Sequence, residues 1–102
     1  MSLHVEWTQG IGRTFDPGKT YENSDPFVSV VKIDKIGPDT VLLSADLSQR
    51  KLTRSDIADL KRELVACGFE FVHCWRKIGR KVPYGGKVIR TRGNLALWEI
   101  EL

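Results

Sequence analysis

Four side chains in this chain of 102 residues can act as thiol nucleophile, imidazole base or soft metal ligand: His4, Cys67, His73 and Cys74. A cysteine nucleophile needs a base in contact with it. His73 and Cys74 are adjacent, and adjacent residues of a strand point to opposite faces, so they read as two separate structural side chains. Two Cys and two His are the minimum for a four-ligand zinc site, but no pair has ligand spacing. Cys67 and Cys74 are also too far apart for a C-x-x-C motif and too few for a disulfide framework. Buried free thiols are the expectation, and neither a metal nor a cofactor is expected.

Gly12 to Thr20 reads GRTFDPGKT and ends like a phosphate-binding loop. That loop has four residues between its first glycine and its Gly-Lys, and its lysine opens a helix whose N–H groups hold the phosphate. Here five residues separate Gly12 from Gly18, and the YENSDP that follows Thr20 does not form a helix. Gly10-Ile11-Gly12 lacks the third glycine of a dinucleotide fingerprint. Asp34, Asp39 and Asp46 lie on one expected hairpin, and two acids with a lysine can hold magnesium for phosphodiester cleavage. Pro38-Asp39 resembles the opening of a restriction-type nuclease motif. Its acid-x-Lys partner is missing, since Leu47 and Ser48 follow Asp46, and a turn explains Asp39.

The remaining chemistry is charge. Cys74 to Gly93 reads CWRKIGRKVPYGGKVIRTRG, with seven basic residues and no acid. Its cations are Arg76, Lys77, Arg80, Lys81, Lys87, Arg90 and Arg92. Gly79, Pro83, Gly85 and Gly86 prevent one continuous strand, which predicts a basic arm or extended hairpin at 76–92. Like charges so close repel, and a polyanion relieves that by releasing condensed counterions. Trp75 and Tyr84 add aromatic surface for stacking. The bland alternative is a solvated basic face, with Trp75 in the core and acids from the first half nearby.

Totals and distribution constrain the class. Hydrophobic residues are 41% and charged residues 28%, as in ordinary globular domains. The net charge of +3 is unevenly placed: residues 1–70 hold eleven of the thirteen acids, and no Asp or Glu occurs from Phe71 to Trp98. An oriented field follows. No apolar run approaches a membrane span, and MSLHVEWTQG does not read as a secretory signal. The expectation is a single soluble, cytoplasmic domain spanning 1–102.

Those residues must be positioned by a small set of elements. His4–Thr8 reads as a short strand and 9–26 as a long loop. Phe27–Ile36 and Thr40–Leu47 read as an antiparallel hairpin around Gly37-Pro38-Asp39. Thr53–Cys67 predicts a helix, with Thr53 and Asp56 in capping-box spacing, Ile57, Leu60, Leu64 and Cys67 on one face, and Gly68 as terminator. Phe69–Arg76 predicts a central strand, because both its faces carry apolar residues. Lys87–Thr91 and Asn94–Leu102 are further strands, joined through Arg92-Gly93-Asn94.

The expected fold is α+β: a mostly antiparallel sheet of five to six strands with one helix at about 53–67 on one face. Its core sets Ile57, Leu60 and Leu64 against Phe69, Phe71, Val28, Val30, Leu42, Trp98 and Ile100. The expected function is non-enzymatic nucleic-acid binding, with phosphate contacts from Arg76, Lys77, Arg80, Lys81, Lys87, Arg90 and Arg92 and with Tyr84 beside them. The alternatives are a small interaction or inhibitory module that binds a host protein, of the sort phages and mobile elements encode, and then a metal-dependent nuclease-like enzyme. No catalytic residue is assigned. Monomer and homodimer are both open, since the C-terminal strand suits a sheet edge.

Overall fold

The computed structural model describes residues 2–3, 5–49, 53–79 and 85–102, with the side chains of 45 and 46 not described. Six strands and one helix follow in the order β1 (Gln9–Thr14), β2 (Ser29–Lys35), β3 (Thr40–Ser48), α1 (Arg54–Ala66), β4 (Phe71–Lys77), β5 (Lys87–Arg92) and β6 (Leu95–Glu101). They form one sheet ordered β1-β2-β3-β4-β6-β5, and only the β3–β4 pair is parallel. The class is thus a small α+β fold with one helix on a mostly antiparallel sheet.

Local chemistry explains most of the boundaries. The Thr53 hydroxyl accepts the Asp56 N–H at 3.1 Å, and the Asp56 carboxylate accepts the Thr53 N–H at 2.8 Å. This reciprocal pair satisfies two N–H groups at the helix start. Gly68 ends the helix at φ 92°, a left-handed conformation that favours glycine. The Phe69 N–H then returns to the Leu64 carbonyl at 3.1 Å, which turns the chain back toward the sheet. Parallel strands need a crossover of a dozen or more residues, and α1 supplies it between β3 and β4.

The sequence places a strand at His4–Thr8 and a loop at 9–26; the structure puts the strand at Gln9–Thr14, inside that expected loop. Gln9↔Asp34 through Thr14↔Ser29 pair in antiparallel register, and the Thr8 carbonyl takes the Lys35 N–H at 2.7 Å. Pairing of backbone groups needs no apolar alternation, so QGIGRT forms an edge strand without showing the period of one. Gly12 has a packing role: a Cβ there would lie 3.0 Å from Val31 Cγ1 and 3.9 Å from Leu60 Cδ1. After β1 the chain turns at Asp16–Lys19, and the Arg13 guanidinium lies 5.7 Å from the Tyr21 ring centroid and 5.4 Å from that of Phe27.

The core is narrow. Val41, Leu64 and Val72 are buried at its centre, with Ile33, Leu43, Leu60, Phe69, Ile100 and Leu102 packed around them. Leu60, Leu64, Phe69 and Ile100 are where the sequence put them. Val41 and Val72 replace Leu42 and Phe71, because both strands are apolar on both sides and alternation alone does not say which side meets the helix. Register decides it: Val41↔Val72↔Ile100 is one row under α1, and Leu42↔His73↔Glu99 is the next, on the opposite face. Among the described residues, that opposite face carries no helix.

Candidate nucleic-acid interface

Cross-strand partners share a face, so the strand register defines what the helix-free face displays. Across β4, β6 and β5 the rows run His73–Glu99–Lys87, Trp75–Leu97–Arg90 and Lys77–Leu95–Arg92. Farther along, Leu42 and Asp34 continue the His73 row onto β3 and β2. With strands about 4.8 Å apart, Trp75 lies about 10 Å from Arg90, across Leu97.

A β-bulge creates this grouping. Val88 pairs with Trp98 and Arg90 with Leu97, leaving Ile89 as the extra residue. Strict alternation would put Lys87 on one face of β5 and Arg90 and Arg92 on the other. The extra residue resets the alternation, so that Lys87, Arg90 and Arg92 all project from the helix-free face beside Lys77. Every residue of β5 is exposed. As the outermost strand it has one unpaired backbone edge, and its three cations also oppose edge-to-edge pairing with a second copy.

Ion pairing along this patch is uneven. Glu99 accepts from His73 Nε2 through Oε2 at 3.0 Å and lies 3.7 Å from Lys87 Nζ through Oε1. No carboxylate among the described residues pairs with Lys77, Arg90 or Arg92. Arg76 lies in the alternate row, opposite Ala96 and on the helix side. There it approaches Cys74: burial pushes the Cys74 thiol up, and the Arg76 charge and hydrogen bond pull in the other direction. The basic segment therefore divides between two faces. Arg80, Lys81 and Tyr84 lie outside the described residues.

The other chemical candidates are kept apart. His73 and Cys74 point to opposite faces, the first to Glu99 and the second into the helix side, where it is buried. Cys67 is exposed at the end of α1, against the expectation of two buried thiols. Gly18 and Lys19 belong to a turn closed by the Lys19 N–H on the Asp16 carbonyl at 3.0 Å, and no helix starts there. Asp39 caps the entry to β3: its carboxylate accepts the Thr40 hydroxyl at 2.9 Å, and its carbonyl takes the Glu70 and Phe71 N–H groups. Asp34 pairs with Lys32 at 3.6 Å. Among the described residues no three His, Cys, Asp or Glu side chains converge as metal ligands.

Sequence reasoning did not find the helix-free face as a surface. The sequence places Phe71 in the core and Trp75 either on a stacking surface or in the core, and Phe71, His73 and Trp75 are all half-buried on the side away from α1. The available signal was Val72 and Cys74, which together with Ile100 form an equally good apolar row. No described helix is long and apolar enough to cross a membrane. No family model, curated protein or solved structure matches the chain.

Proposed function

We propose that this protein binds nucleic acid without catalysis, laying a phosphate backbone along the helix-free face of β4, β6 and β5. Lys77, Lys87, Arg90 and Arg92 supply the phosphate contacts. The observation that carries the reading is the bulge at Ile89, which gathers the β5 cations onto one exposed face next to Lys77. Three of these four cations have no carboxylate partner among the described residues, so an anionic ligand meets little internal competition. Arg76 contributes to the general field from the helix side. Among the described residues no three His, Cys, Asp or Glu side chains converge on that face, which favours binding over turnover.

The experiment is a salt titration of labelled oligonucleotide binding by fluorescence anisotropy. Three unpaired cations on a single strand give a log–log slope of about −2, or about 20-fold weaker binding between roughly 50 and 200 mM salt. The double reversal R90E/R92E removes most of that dependence. A flat salt response, with the reversed protein binding as tightly as the parent, eliminates the reading.

A protein partner is the second reading, and it has its own observation. The chain exposes 7850 Å², against about 5,800 Å² for a compact monomer of this mass. Leu3, Trp7, Tyr21 and Leu47 are each at least two-thirds exposed. Nuclease-resistant co-purification of one stoichiometric protein supports this reading over the first.

A further inference from the structure

Resting on the phosphate-contact reading above, we infer that the ligand is single-stranded nucleic acid and that the Trp75 indole is the surface on which a base stacks. Three features converge. First, Phe71, His73 and Trp75 alternate along β4 on the helix-free face, about 6.6 Å apart. They are half-buried there, with no helix above them among the described residues. An aromatic face beside open solvent accepts any base, since every base has a π-face.

Second, the charge is placed for it. The Trp75–Leu97–Arg90 row is flanked by Lys77–Leu95–Arg92 on one side and His73–Glu99–Lys87 on the other. A strand whose base stacks on Trp75 has its backbone within reach of Lys77, Arg90 and Arg92. Leu97 and Leu42 give the remaining floor an apolar character, with Leu97 only 9% exposed. At the Glu101 end of the face the charge turns negative, which confines a backbone to the Lys77–Arg92 end.

Third, the shape disfavours duplex. A two-stranded ribbon fits a major groove about 12 Å wide. β5 and β6 are such a hairpin, but β6 also pairs with β4 along its whole length. The ribbon is therefore the margin of a six-stranded sheet in a molecule 47 × 41 × 20 Å. A broad face meets an undeformed duplex mainly at its backbone, and base faces stay hidden in the stack; an unpaired strand offers both phosphates and base faces.

The test uses the full chain with two labelled probes, an oligothymidylate of about 15 nucleotides and a duplex of the same length. An oligouridylate of equal length separates DNA from RNA as the source. The single strand binds on the order of 10-fold tighter than the duplex, and W75L loses about 10-fold on the single strand while leaving the duplex unchanged. W75F, which keeps a stacking ring, restores most of the loss. In parallel, a bromouridine-substituted strand is photo-crosslinked to the unaltered protein, and the joined peptide contains Trp75. If W75L does not fold, the crosslink decides alone. Crosslinks confined to other segments, or equal binding of both probes, overturn the inference. The phosphate reading survives that outcome if R90E/R92E still weakens binding, and falls with it if the reversal has no effect.

Discussion

Glu99 is the only described carboxylate on the basic patch, and its removal makes a demanding prediction because the expected effect is a gain. Glu99 divides its two oxygens between His73 and Lys87. Lys87 is 73% exposed and Glu99 24% exposed. A pair of that kind contributes about 0.2–1 kcal/mol, so freeing Lys87 for a phosphate improves binding by a factor of about 1.4–5. One added phosphate contact also steepens the log–log salt slope by about 0.7 on a single strand. E99Q is the right change because its amide oxygen still accepts from His73 and its volume is nearly unchanged. The assay is the anisotropy titration repeated at roughly 50, 100 and 200 mM salt, with circular dichroism confirming the fold. Tighter binding with a steeper slope is the expected result. Unchanged affinity and slope, or weaker binding by a folded variant, refutes the idea that the ligand lies over the Lys87–Arg90–Arg92 face.

The remaining predictions concern the frame that holds this face. L64A, at a 4% exposed position against Val41 and Val72, costs about 2–5 kcal/mol in urea unfolding; a loss below about 1 kcal/mol contradicts docking of α1 on the sheet. In native buffer a thiol reagent labels Cys67 quickly and Cys74 only on unfolding, as their exposure requires; equal rates refute the burial of Cys74. Because burial raises the Cys74 pKa, the folded state holds that proton more firmly than the unfolded state. Its contribution to stability is whole below the ordinary value of 9.0 and is lost as pH rises through the folded value. C74A removes that part of the alkaline loss of stability, read from urea midpoints on both sides of that value.

Much of the fold was legible because local signals agreed. Thr53, Asp56, the Leu60–Leu64 stripe and Gly68 all specify one helix, and each does in the structure what its chemistry suggests. The Gly37-Pro38-Asp39 turn likewise falls between β2 and β3. β1 was not legible, because its evidence is a backbone ladder to β2 and a space at Gly12 that only the fold defines. Burial direction failed for a different reason. Val41 and Leu42 are both apolar, as are Phe71 and Val72, so the sequence holds two self-consistent cores related by a one-residue shift. What separates them is the other strands: Ile100 continues the row through Val41 and Val72, and Ile33 with Leu43 follows on the same face, whereas Glu99 and Asp34 interrupt the row through Leu42 and His73.

The same reasoning explains why the candidate surface was half visible. The excess of cations after Trp75 is a property of composition and needs no structure. Their grouping is a property of register, and it depends on one bulge. If Ile89 were paired in a regular strand, Lys87 would be on one side of β5 and Arg90 and Arg92 on the other, and the patch would be split at the sheet edge. A bulge carries no reliable mark in a sequence such as KVIRTR, since Val and Ile are good strand residues at either position. The physical content of the proposal is therefore geometric. Deleting both Val88 and Ile89 leaves the net charge unchanged and reverses the face of Lys87 relative to Arg90 and Arg92. If the deletion variant folds and binds oligonucleotide with undiminished affinity and salt slope, charge alone suffices and the face has no role. If binding weakens at constant charge, the register of this one strand is what builds the site.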